Sequence, residues 1–152
     1  MTNQESEPFE LSIERYIDAS PETVWEIMTT RMPEWWAPKP WTTEIVEQDW
    51  SAGGRNASIM RGPDGEEFPN EGVFLEVVPN QRFMFTDAFH AGWIPAKAFM
   101  VATFELSPEG KGTRYRASAR HWDEAAKKQH EDMGFAGGWA MCADQLAELA
   151  EK

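Results

Sequence analysis

"GVFLEVVPNQRFMFTD", Gly72 to Asp87, decides how the chain is read. Its β-branched and aromatic residues come in two runs broken by Pro79-Asn80. Such runs between turn formers are strands. The segment predicts two of them, Glu71 to Val78 and Gln81 to Asp87, folded back on each other. Arg82 to Asp87 mixes apolar and polar residues on both faces, so its inward face stays open.

The same signs recur on either side. Upstream, Thr43 to Gln48 and Arg55 to Arg61 read as strands, with Gly53-Gly54 as a turn or bulge and Gly62-Pro63-Asp64-Gly65 as a hairpin. Downstream, a loop containing Trp93 and Pro95 precedes strands from Lys97 to Leu106 and from Thr113 to His121. From Phe9 to Asp18, apolar and polar residues alternate as in a half-buried strand. Ser20-Pro21-Glu22 then opens a helix: serine caps, proline fits the first turn, and glutamate faces the positive dipole end. A second short helix is expected over Pro33 to Ala37.

Asp123 suits the N-cap of a final helix from Glu124 to Glu151, with Trp139, Cys142, Leu146 and Leu149 on one stripe. Its "MGFAGGWAM" stretch carries three glycines, each costing roughly 1 kcal/mol in a helix interior. A local reading breaks the helix at Gly134. A helix lying across a concave sheet would instead use Met133, Gly134 and Gly137 to border a cavity. The order of elements predicts an α+β domain: a curved antiparallel sheet of six to seven strands wrapped around a long C-terminal helix, with one or two short helices after the first strand.

Composition excludes several functions. Twenty-six acidic residues oppose 14 basic ones, for a net charge of −12, and no Lys/Arg run exists. Nucleic acid and anionic membranes are therefore not expected partners. The single cysteine, Cys142, forms neither an internal disulfide nor a thiolate zinc site. Met1 to Pro8 is polar and acidic, expected to be a flexible tail and not a signal peptide; residues 9–152 read as one domain. A cytoplasmic chain without membrane insertion is expected, as monomer or homodimer. No phosphate loop, nucleophile elbow or His-Glu-x-x-His is present, so no cofactor and no metal are expected. His90 and His130 would make a metal site with Asp87 or Glu131 only if the fold joined them across a pocket mouth.

Strand alternation names candidate interior residues. Arg114, Arg116 and Arg120 share one face, so Tyr115, Ala117, Ala119 and His121 share the other. Met100, Ala102 and Phe104 likewise face in. A cavity floor of Phe104, Tyr115, Ala117 and His121 follows, the alternative being a filled core with alanines opposite bulky helix residues. Trp36, Met60, Phe85 and Asp87 complete the expected lining. Aromatics at 12% of the chain favour an aromatic-lined cavity. His121 suits hydrogen bonding or acid/base work, or simply caps the strand–helix junction.

"SPETVWEIM", "WWAP", "DWSAGG", "PDG", "GVFLEVVPNQRFMFTD", "GTRYRASARHW" and "MGFAGGWAMCADQL" follow one another here in the order seen in one family. The chain resembles bacterial proteins similar to the C-terminal domain of the heat-shock-protein-90 ATPase activator, within the START-like (SRPBCC) helix-grip superfamily. The resemblance spans Phe9 to Leu149. It implies a cavity between concave sheet and long helix, which relatives use for lipids, sterols, polyketides and hormones. Many members carry an arginine before the Gly-Gly turn, in an Asp-x-Arg-x-Gly-Gly pattern; here Ser51 stands there, so any role of that arginine is absent.

Three functional readings result. The first is binding of a small hydrophobic molecule in the cavity. The second is a cyclase- or hydrolase-type enzyme using His121 with Asp87 or Tyr115. The third is a chaperone- or stress-linked interaction module, which predicts a filled interior and an exposed apolar patch.

Overall fold

Alternation in the sequence becomes register in the sheet. In the computed structural model, which describes residues 9–152, strand β1 (Glu10–Ile17) is followed by helices α1 (Pro21–Thr30) and α2 (Met32–Trp35). Then come β2 (Thr42–Gln48), β3 (Arg55–Arg61), β4 (Glu67–Val78), β5 (Arg82–Thr86), β6 (Phe89–His90), β7 (Ile94–Pro95), β8 (Met100–Glu109) and β9 (Gly112–His121). Helices α3 (Glu124–Asp132) and α4 (Phe135–Ala150) close the chain. The expected Met1–Pro8 tail lies outside the described residues.

Seven strands form one antiparallel sheet in the order β1-β9-β8-β5-β4-β3-β2, and β6 pairs with β7 in a separate hairpin. Phe104 stands opposite Ala117, and Ala102 opposite Ala119. All four are buried beneath the helices. The register settles the face of β5: Phe83 pairs with Phe104 and Phe85 with Ala102, so both phenylalanines join the inner layer. On the outer face, Arg82 forms two hydrogen bonds to Glu76, Arg114 two to Glu109, and Arg116 pairs with Glu10. These pairs are half-exposed and screened by water, so each adds little to stability.

Local chemistry builds the helices as expected. The Ser20 hydroxyl accepts the Thr23 N–H at 3.2 Å, and Asp123 accepts the Ala126 N–H at 2.8 Å. Each such cap is worth about 1 kcal/mol. Val24, Ile27 and Met28 are the buried face of α1. Gly72 is required by packing: a Cβ there would sit 2.0 Å from the Thr86 carbonyl oxygen.

The final helix is a correction. It is two helices, broken at Met133-Gly134, where Gly134 takes a left-handed φ of 93°. The local glycine signal wins because only glycine enters that conformation at no steric cost. The sheet does not ask for the missing side chains: a Cβ at Gly134 or Gly137 would meet nothing within 4 Å. The β6–β7 hairpin is a second difference, two residues a side where a plain loop was expected.

Candidate functional site

The concave face meets the helices through rings. Trp35 ends α2 and Trp36 follows it, and this stretch is held by α4: the Gln145 amide donates to the Trp35 and Ala37 carbonyls at 2.9 and 3.0 Å. Thr43 adds a bond to the Trp36 carbonyl at 2.9 Å. So fixed, Trp36 stands edge-on to Phe104 at 5.6 Å and to Trp139 at 5.2 Å between ring centroids. Phe104 stacks on Phe83 at 4.7 Å and on Trp139 at 5.5 Å. Trp50, just before the Gly53-Gly54 turn, stacks on Phe74 at 4.4 Å.

These rings occupy the space where a cavity floor was expected. Trp36, Phe85, Phe104, Tyr115 and Ala117 do come together in one core cluster. Met60 is half-buried on β3, outside that cluster. Met133 is 67% exposed, and Gly134 and Gly137 are exposed too, so these three do not border the interior. Two open concavities lie elsewhere. One, of about 450 Å³, runs between the Lys39-Pro40 segment and Gln145 and Leu149 of α4. The other, of about 280 Å³, sits among Arg82, Arg114 and Arg116 on the outer face.

Polar groups inside are few. The Tyr115 hydroxyl is wholly buried and has no hydrogen-bond partner among the described residues. Burial pushes its ionisation well up, with the Cys142 thiol as a second cause. Burial likewise pushes Cys142 up to about 12, partly offset by the Ala37 backbone. Neither group is a nucleophile near neutrality.

His121 and His130 meet in a way the sequence reading missed. His121 Nε2 lies 2.9 Å from His130 Nδ1, and His121 Nδ1 lies 2.9 Å from the Phe9 carbonyl oxygen. Each histidine is only 6% exposed. Phe99, Phe135 and Trp139 enclose His130 at 5.0 to 5.7 Å. Burial, and then the charge of His121, lower His130 to about 4. The one available signal was the Asp123 cap, which turns the chain back over the end of β9 so that His130 lands on His121.

The pairing of His121 with Asp87 or Tyr115 named for the enzyme reading is not formed. Both His121 nitrogens are engaged, and one Asp87 oxygen accepts the Phe99 and Met100 N–H groups at 2.8 and 3.2 Å. His130 meets His121 rather than His90, and no cluster of three metal-ligating side chains exists among the described residues. No helix there is long and apolar enough to cross a membrane.

A curved antiparallel sheet closed over by a C-terminal helix through an aromatic layer defines an α+β helix-grip domain. The chain belongs to the family described as "Activator of Hsp90 ATPase homolog 1-like protein", whose model matches residues 18–151. A crystal structure of a Nitrosomonas europaea protein is 37% identical, with a TM-score of 0.87, over 93% of this chain and 94% of that one. A Mycobacterium smegmatis protein is 23% identical with a TM-score of 0.79, covering 93% of this chain and 90% of its own. An Arthrobacter aurescens protein is 22% identical with a TM-score of 0.83, covering 99% and 91%. Among curated proteins, none matches the chain.

Proposed function

We propose that the protein binds a small, largely apolar molecule carrying one polar group, against the concave face of the sheet, in the cytoplasm. The observation behind this reading is the Tyr115 hydroxyl. A buried hydroxyl without a partner costs about 1–3 kcal/mol, and native interiors seldom leave one unexplained. A ligand oxygen arriving there offsets that cost, while Phe83, Phe104 and Ala117 receive its apolar body. Trp36 is the ring to move: it is half-buried and lies in the short segment between α2 and β2. Phe85, Asp87, His121 and Met60 complete the proposed lining, and no cofactor is involved.

A matched pair of probes tests this. Binding of 2-heptanone and of heptane is followed through the indole N–H signals of Trp36 and Trp139. The ketone is expected to shift both and to bind more tightly than the alkane. If neither probe moves either signal, the interior is not a binding site.

One observation favours a second reading, a protein-interaction module of the kind the family description suggests. The interior is filled, while Trp93 and Ile94 around the β6–β7 hairpin, and Trp122 beyond β9, stand exposed. Silent probes together with self-association or partner capture abolished by Trp93→Ser favour that reading.

A further inference from the structure

Helix α3 is held unlike the rest of the fold. Apart from Ala125 and Ala126 it is polar, and His130 is its only buried residue. At its far end Gly134 is a left-handed pivot with open space where a side chain would be. At its near end it follows β9 after only Trp122 and the Asp123 cap. Across its inner side lie the Phe135 and Trp139 rings, which lead directly to Phe104 and Trp36. We propose that α3 is a lid over this end of the aromatic interior, and that the His121–His130 hydrogen bond is its latch, released by mild acid.

The geometry of the pair dictates how the latch works. A carbonyl oxygen only accepts, so His121 Nδ1 carries a hydrogen and donates it to Phe9. In the neutral pair, His121 Nε2 therefore accepts, and His130 Nδ1 donates. One proton taken up by the pair, entering at His130 Nε2 while the bridging hydrogen passes from His130 Nδ1 to His121 Nε2, only reverses the bond. A second proton breaks it, because two N–H groups then face each other inside an aromatic enclosure. Releasing α3 removes both penalties by returning His130 to water.

Among the described residues, other charges near the pair do not offer a substitute. Glu10 on β1 faces out, paired with Arg116 and Arg120 of β9. Asp87, before β8, is committed to the Phe99 and Met100 backbone. On α3 itself Lys128 pairs with Asp132, and Lys127, Glu124 and Glu131 are the other charged groups. The first charged residue of α4 is Asp144, bound to Arg15. Among the described residues, the charge that acts on His130 is that of His121.

Hydrogen exchange followed by mass spectrometry on the full chain tests the latch, with rates corrected for the intrinsic pH dependence. His130 takes its proton near 4 when enclosed and near 6.5 when released. Linkage then predicts that protection of α3 relative to α4 falls roughly twentyfold from about pH 7 to about pH 5. In His130→Phe, which fills the enclosure and cannot titrate, the fall should vanish; His130→Gln serves the same purpose if the larger ring disturbs folding. Protection of α3 that is constant in the wild type, or that falls equally in both variants, overturns the proposal. The readout needs no ligand, so silent probes in the binding test leave it standing.

Discussion

Trp36 and Trp139 stand edge to face, 5.2 Å apart at 77°, and this contact joins the segment after α2 to α4 above the concave sheet. Truncating Trp36 to alanine should therefore do two things at once. It should cost about 3 kcal/mol in urea unfolding, the low end of the range for buried aromatics, because Trp36 is only half-buried. It should also raise uptake of heptane, because the lost ring opens the layer over Phe104. Unchanged heptane binding in a folded Trp36→Ala protein would show that Trp36 is not the gate.

Tyr115→Phe isolates the orphan hydroxyl. Removing a group that has no partner should leave stability within about 1 kcal/mol of the wild type, or improve it. The same variant should erase the preference for 2-heptanone over heptane while leaving heptane binding intact. A loss above about 2 kcal/mol would mean that the hydroxyl is bonded within the protein, through water, and is no anchor.

The strands were legible because their faces alternate. Arg114, Arg116 and Arg120 out and Tyr115, Ala117, Ala119 and His121 in is a period of two that survives any tertiary context. The face of β5 was not legible, because Phe83 and Phe85 are placed by their partners Phe104 and Ala102, far away in sequence. The filling of the interior was equally out of reach. Ala117 and Ala102 look like vacancies until Trp36 and Trp139, from two other elements, are seen to occupy the space. His130 left no pattern either, being a single buried residue on a helix with no large apolar side chain.

The glycines of the last two helices separate by conformation. Gly134, at φ 93°, should lose about 1–2 kcal/mol on replacement by alanine, since a Cβ is strained there whatever the space. Gly137, inside α4 with nothing within 4 Å of a built Cβ, should gain up to about 1 kcal/mol from the same change. Thermal melts of the two variants should move in opposite directions. A loss at Gly137 comparable to that at Gly134 would mean that its missing side chain leaves room for something in solution.

The pH dependence of stability should show two windows with one sign. His130 is a base held below its ordinary value of 6.5, at about 4, so the unfolded chain binds its proton first. Its contribution is complete above 6.5, is lost as pH falls toward 4, and levels off below; it amounts to about 3 kcal/mol. Glu34, Glu71, Glu76 and Glu109 are held below the ordinary carboxylate value by hydrogen bonds from Arg31, Arg55, Arg82 and Arg114. Their stabilisation is present above about 4.5 and is lost only below it. The carboxylates are exposed, so the upper window belongs mainly to the histidine. Urea unfolding of the wild type and of His130→Gln from neutral pH down to about 4 separates the two. The variant should lose the slope above 4.5 and keep the slope below it, because glutamine can hold a hydrogen bond but cannot take the proton. Parallel curves for the two proteins would place the titrating group elsewhere.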